Sequence, residues 1–324
     1  MTAFAPRQLG DTDIFVTPVA LGCWPIAGMT SLHVNDADSL ATLQAAVDHG
    51  VNFFDTAFSY GLNGESEKLI HRALGDRRDQ IVIATKCGLG WDDQQQRLFD
   101  GRPAALRAHC EESLRRLATD RVDLLYLHAP DPNTPVAESA GELRRLLDEG
   151  KTRSVGVSNF TIAELEEFSR ECPIAAHQPP YNMLMRSIDK DSIPWCQERK
   201  ISVVPYWPLM KGLLAGRLER DHQFQPGDGR PKYPMFQGEE WERNQDLLDE
   251  LRTLAGELGK TVADIVINWT MQQPGITSVL CGAKRPDQIQ ETAAAMQWKL
   301  DAAALQRIED ALIRRGPPIE RWAV

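Results

Sequence analysis

A chain of 324 residues with 42% apolar and 25% charged side chains has the make-up of a soluble globular protein and is long enough to bury a large core. A net charge of -10 without any Lys/Arg-rich tract argues against nucleic acid or an anionic membrane surface as the main partner. The six cysteines are scattered with no C-x-x-C pair, the N-terminus lacks a signal-like apolar core, and no apolar run nears the roughly 18 residues of a membrane helix. The expectation is a cytoplasmic chain with reduced thiols, no metal centre and no membrane insertion.

Residues 7–17 alternate around Gly10-Asp11 and read as a short hairpin. Residues 18–22 read as a first core strand. Asn35 or Asp36 caps a helix whose apolar positions Leu40, Leu43, Ala46 and Val47 keep helical spacing until Gly50. The alternation then repeats. Strand 51–55 precedes helix 65–74. Strand 81–86 precedes a polar loop, 88–101, and a helix from Pro103. Strand 122–128 precedes a helix ending at Gly150, and strand 153–157 a helix capped by Thr161. Strand 174–178 precedes helix 189–199. Strand 201–206 precedes a long Gly/Pro-rich loop, 208–238, and helices 239–258 and 262–273. Strand 277–281 precedes helix 287–295, and helix 302–314 and a polar tail close the chain.

Strict alternation predicts a parallel sheet with right-handed crossovers. Eight such units fit an α/β fold of the closed (β/α)8 TIM-barrel kind, here a single domain over residues 1–324 with an N-terminal hairpin. The loop 208–238 reads as an insertion over one face. A doubly wound open sheet is the alternative. It would want a G-x-G-x-x-G turn after its first strand, which residues 21–28 do not supply.

In such a barrel the active site lies at the C-terminal ends of the strands. Asp55, Lys86 and His128 each end an apolar strand run, and Tyr60 lies on the loop just beyond Asp55. A phenol is a poor acid near neutrality, but an adjacent ammonium stabilises phenolate and pulls its pKa down. Lys86 suits that task, Asp55 can hold Lys86 charged, and His128 can hydrogen-bond the phenol or a substrate oxygen. A carbonyl bound there is polarised and ready to accept a proton. No residue pattern supplies a group to attack the carbonyl carbon, so a hydride from a bound cofactor is the natural candidate.

Phe54-Asp55-Thr56-Ala57 with Tyr60-Gly61, Ala84-Thr85-Lys86, Leu124-Leu125-Tyr126-Leu127-His128, Val155-Gly156-Val157-Ser158-Asn159-Phe160, Gln178-Pro179-Pro180-Tyr181-Asn182 and Gly282-Ala283-Lys284-Arg285-Pro286 follow one another in a distinctive order and spacing. In that order the chain resembles the aldo-keto reductase family from end to end, a family that includes potassium-channel β subunits. The resemblance implies a barrel with the hairpin across its base. It implies Tyr60 as general acid, Lys86 lowering its pKa, Asp55 orienting Lys86, and His128 positioning the carbonyl. It also implies a nicotinamide cofactor bound without a Rossmann domain. Ser158, Asn159 and Gln178 would hold the carboxamide, and Tyr206 would stack on the ring. Trp207, Pro208, Leu209, Lys211, Gly212, Leu214 and Arg217 would lie in the segment folded over the pyrophosphate. Gly282, Ala283, Lys284, Gln288 and Glu291 would form the adenosine end. A cation at Lys284 suits a 2′-phosphate, which favours NADPH/NADP+ over NADH/NAD+.

Three positions depart from common family patterns. Ala129 stands where many relatives carry a bulky aromatic, which is expected to widen the substrate pocket. Trp207 replaces a frequent serine, and Thr292 a frequent asparagine. Trp24 and Trp91 are further pocket candidates. The expected reaction is reduction of a small-molecule aldehyde or ketone to an alcohol with Tyr60 as proton donor. A sugar or alcohol dehydrogenase, a cofactor-sensing regulatory subunit and a non-redox barrel enzyme such as a lyase remain open readings.

Overall fold

The computed structural model describes residues 3–29 and 32–318; the polar tail from 319 lies outside them. The strands are β1 (Arg7–Gln8), β2 (Phe15–Val16), β3 (Val19–Gly22), β4 (Phe53–Asp55), β5 (Val82–Cys87), β6 (Leu89–Trp91), β7 (Arg97–Phe99), β8 (Leu124–Leu127), β9 (Val155–Ser158), β10 (Ala176–Gln178), β11 (Ser202–Val203) and β12 (Val279–Gly282). Eight of them form one parallel sheet in the order β11-β10-β9-β8-β5-β4-β3-β12. Its two ends meet: Thr277 N donates to Val203 O at 2.8 Å and Leu280 N to Pro205 O at 3.0 Å. The sheet is therefore a barrel, not an open doubly wound sheet. β11 is shorter than the predicted 201–206 because Pro205 has no N–H for the ladder. Pairing resumes beyond it, where Tyr206 N donates to Pro179 O at 3.1 Å.

The period of two along each strand sorts the side chains. Ala20, Phe53, Val82, Ala84, Leu124, Tyr126, Ala176, Val204 and Leu280 fill the barrel interior together with Leu9, Ile14 and Val16 of the β1–β2 hairpin, which thus plugs the base. Gly10, at φ +59, lets the hairpin approach so closely that a Cβ there would lie 2.5 Å from Ala175 O. Within the interior, Tyr126 occupies the space a side chain at Gly156 would need, with a Cβ only 2.5 Å from its ring. The alternate set, including Leu21, Phe54, Ile83, Leu125, Val157, Val203 and Val279, faces the helical shell.

That shell comprises α1 (Asp36–Asp48), α2 (Glu65–Leu74), α3 (Pro103–Leu117), α4 (Val136–Asp148), α5 (Ile162–Glu171), α6 (Ser192–Glu198), α7 (Gly238–Leu258), α8 (Val262–Gln272), α9 (Pro286–Ala294) and α10 (Ala302–Arg315). Several starts follow from their caps. Asn35 Oδ1 accepts from Asp38 N at 2.9 Å. Thr161 with Glu164, and Thr261 with Asp264, form reciprocal capping boxes. The stretch predicted as a polar loop, 88–101, instead carries the antiparallel β6–β7 hairpin. Its turn is built by Asp92 Oδ1, which accepts from Gln94 N at 2.9 Å and Gln96 N at 2.8 Å. The insertion after β11 contains short 3-10 turns at Met210–Ala215, Arg230–Lys232 and Pro234–Phe236. Among the described residues no helix is long and apolar enough to cross a membrane, and no group of His, Cys, Asp or Glu is arranged to hold a metal. All six cysteines are free and buried.

One buried group makes stability depend on pH. His177 on β10 is 1% exposed. Its Nδ1 lies 4.0 Å from Cys196 Sγ, and its Nε2 has no partner among the described residues. Burial lowers its pKa to about 4. The unfolded chain takes up that proton below the ordinary value of about 6.5, so the stabilisation is present above 6.5 and lost as pH falls toward 4. The loss should reach ~3 kcal/mol at most. Urea midpoints measured between pH 6.5 and 4.5 should fall with acidity, and less steeply in His177→Leu; an unchanged slope in that variant would refute the assignment.

Candidate active site

The barrel mouth is built by residues at strand ends. On β4 the interior set Phe53 and Asp55 brings a carboxylate to the rim; on β5 the set Val82, Ala84 and Lys86 brings an ammonium. The register places Asp55 beside Ala84 and Lys86 beside Tyr126. Lys86 Nζ donates to Asp55 Oδ1 at 2.5 Å, to the Thr56 carbonyl at 2.8 Å and to Tyr60 OH at 3.2 Å. An ammonium has three protons, so each has an acceptor. The second carboxylate oxygen, Asp55 Oδ2, accepts from Gln178 Nε2 at 2.8 Å.

The Lys86 and Asp55 side chains are 1% and 2% exposed. Burial alone would lower Lys86, but Asp55 and Tyr60 outweigh it and the net direction is up, so Lys86 stays an ammonium. Burial pushes the Asp55 carboxyl up against the opposing pull of Lys86 and Gln178. Tyr60 is likewise raised by burial; Lys86 pulls it down without overcoming that. The downward pull expected from the sequence is therefore present, but the phenol as a whole lies above its ordinary value. His128 is pushed well below 6.5 by burial, then by Lys86 and Arg97, and is a neutral imidazole.

The Tyr60 ring packs edge-on to Trp24 at 5.1 Å and to His128 at 6.0 Å, with Lys86 Nζ 4.7 Å from its centroid. His128 Nδ1 is buried without a hydrogen-bond partner among the described residues. The loop bearing Tyr60 is tied down at two carbonyls. Trp91 Nε1 donates to Ser59 O at 2.9 Å, and Arg116 Nη1 to Phe58 O at 2.9 Å. Arg116 is in turn paired with fully buried Glu67 at 3.1 Å, and Thr85 Oγ1 donates to Glu67 at 2.6 Å. Sequence reasoning missed Glu67 and Arg116. Their only signal was a charge within the apolar stripe of each helix.

A second set of side chains lies beside this cluster. Asn159, at φ +63, donates from Nδ2 to His128 O at 3.1 Å and to Ser158 Oγ at 3.0 Å, and accepts from Tyr206 OH at 2.7 Å. Ser158 Oγ donates to Gln178 O at 2.7 Å. With the Gln178–Asp55 bond, one connected network runs from Tyr206 to Tyr60. Beyond Tyr206 the backbone turns left-handed at Trp207, Met210, Lys211 and Gly212. Lys211 Nζ sits 4.2 Å from the Trp207 ring centroid and 4.5 Å from that of Tyr233. Leu209 is half-buried; Pro208 and Leu214 are buried, Leu214 within the core.

The remaining predicted positions form the rim between this loop and α9. Arg217 pairs with Glu291 at 2.5 Å. Lys284 Nζ donates to Leu32 O at 2.7 Å, and Gln288 Oε1 accepts from Lys284 N at 2.9 Å. Gly282 is exposed and Ala283 buried. Thr292 is buried, and its hydroxyl donates back to Gln288 O at 3.2 Å. Ala129 is only 4% exposed.

The model of the aldo/keto reductase family matches residues 18–313. The chain belongs to that family. This aldo-keto reductase is 34% identical over 298 residues to aldo-keto reductase YhdN of Bacillus subtilis, covering 91% of this chain and 89% of the relative. It is 31% identical over 325 residues to an NADH-specific methylglyoxal reductase of Escherichia coli, covering 94% and 98%. Among solved structures, the glycerol dehydrogenase of Gluconobacter oxydans superposes with a TM-score of 0.89 at 36% identity, covering 97% of each chain. As a family member, the aldo-keto reductase is a nicotinamide-dependent oxidoreductase working between carbonyl and alcohol.

Proposed function

We propose that this aldo-keto reductase reduces an aldehyde or ketone to an alcohol with NADPH, and that Tyr60 donates the proton. The observation that carries the reading is the contact of Tyr60 OH with Lys86 Nζ at 3.2 Å, in a mouth where Asp55 holds that ammonium in place.

The residues present suit a nicotinamide cofactor. Tyr206 is pinned through its hydroxyl to Asn159 and stays half-buried, which leaves ring surface for stacking. Ser158 Oγ donates one bond and accepts one, so one lone pair is unused. Ser158, Asn159 and Gln178 would hold the carboxamide, and Lys211, Arg217 and Lys284 bring positive charge toward the phosphates. When bound, the cofactor supplies the hydride. Tyr60 and neutral His128 hold the carbonyl oxygen. Because burial keeps the phenol protonated, Tyr60 retains a proton for the developing alkoxide, and Lys86 stabilises the phenolate left behind.

NADPH preference rests on Lys284. Lys284→Ala should weaken NADPH by at least about tenfold, and far more than NADH, in fluorescence titrations. Equal losses would remove the 2′-phosphate role and favour NADH, the coenzyme named for the Escherichia coli relative. The likeness to a glycerol dehydrogenase favours a second reading, oxidation of an alcohol on the same site. Steady-state rates in both directions with both cofactors, across a carbonyl and polyol panel, test the two. Cofactor binding with no turnover in either direction would overturn both.

A further inference from the structure

The β6–β7 hairpin rises from the C-terminal end of β5, the strand that carries Lys86. Its register sets Trp91 directly opposite Arg97. Directly opposed residues of an antiparallel pair share a face. The Trp91 side of that face is fastened to the Tyr60 loop through Ser59 O at 2.9 Å, so Arg97 is turned the same way. Arg97 is exposed and makes no ion pair or hydrogen bond with another side chain among the described residues. Its neighbours Asp100 and Arg102 are paired with each other at 2.6 Å.

The effect of that charge agrees with this placement. Arg97 acts electrostatically on His128, which follows β8, and on Tyr206, beyond β11. In the sheet order β11 stands four places from β5, on the far side of the ring. Arg97 thus shares the hairpin face that Trp91 ties to the Tyr60 loop at the mouth, and its charge acts to lower both His128 and Tyr206, in keeping with that placement. The one carboxylate of the described mouth cluster, Asp55, is already bonded to Lys86 and Gln178. An unneutralised cation at this opening, on a chain of net charge -10, is the feature to explain.

We propose that Arg97 recognises the anionic group of the substrate, so that the preferred carbonyl compound carries a carboxylate or a phosphate beyond its reacting carbon. The inference rests on the reading of this mouth as a carbonyl site. A guanidinium fork suits either anion bidentately and, above a focusing cleft, also raises the encounter rate.

Matched substrates test it: succinic semialdehyde against butanal for the carboxylate, and glyceraldehyde 3-phosphate against glyceraldehyde for the phosphate. In the wild type at least one anionic member should have the higher kcat/KM, with the advantage shrinking as salt is raised. Arg97→Gln should lower the anionic-to-neutral ratio of that pair roughly tenfold, and Arg97→Lys should restore part of it. The pair that responds names the anion. A wild type without anionic preference, or a ratio unmoved in Arg97→Gln, overturns the proposal. Calorimetric binding of succinate and of inorganic phosphate to the cofactor-loaded protein separates it from the functional reading. If no carbonyl is turned over but either anion binds and Arg97→Gln abolishes that binding, the anion site stands and the reductase reading falls. No binding of either anion, with no turnover, overturns the anion site.

Discussion

Tyr60→Phe should lower carbonyl reduction by about 10²–10⁴-fold, the usual worth of a positioned general acid, while cofactor affinity stays within about twofold. The substitution removes one oxygen and keeps the ring that Trp24 and His128 pack against. Lys86 keeps two of its three acceptors, Asp55 and Thr56 O, so the buried pair persists. The loss should fall on kcat and kcat/KM alike, since the proton moves only in the transition state. The direction of the Tyr60 shift adds a pH signature. Burial holds the phenol above its ordinary value near 10, so reduction, which needs the proton, should stay flat through neutrality and decline only in alkali. Oxidation, which needs phenolate, should climb with pH over the same range. Near-normal turnover in Tyr60→Phe would remove the acid role, and an oxidation rate that levels off at or below neutral pH would contradict the raised phenol.

Asp55→Asn should be severe for a different reason. Asp55 bonds Lys86 and Gln178 but not Tyr60, so it positions the proton donor through Lys86, while its own charge also raises the phenol. Breaking one partner of a buried ion pair costs about 3–5 kcal/mol, because the remaining charge has neither water nor counter-ion. Lys86 can relieve this by shedding its proton, the direction in which burial alone drives it. A neutral amine no longer stabilises the phenolate, and turnover should fall by about 10²-fold. Urea unfolding and steady-state kinetics on the same preparation measure both effects. A variant as stable as wild type would show no net contribution from the pair. A stable-folding variant with normal kcat would uncouple Asp55 from the proton.

The residues readable in the sequence were those tied to strand periodicity. Asp55, Lys86 and His128 could be placed because each ends a short apolar run, and the strand period then aims them into the barrel. Thr161 was readable as a cap because the capping box is local. The supports behind the mouth were not. Glu67 and Arg116 meet across two helices, and a charge on a helix ordinarily marks a solvated face. The β6–β7 hairpin was hidden because Arg97-Leu98-Phe99 lacks buried alternation and the turn depends on Asp92 side-chain bonds. The path after Tyr206 was hidden too. Trp207, Met210 and Lys211 adopt left-handed backbone that residues of those types rarely visit, and of the left-handed positions in this turn only Gly212 carries a residue that favours it.

The hairpin floor bears on how the proposed reaction is refilled. Leu9, Ile14 and Val16 close the barrel from below, which leaves the Lys86–Asp55 pair approachable through the mouth alone. The barrel is thus a vessel with one door, and the ligands stand in the doorway. On the proposed chemistry, the proton that Tyr60 gives up has no back entrance. It returns through the mouth, the same opening by which product leaves.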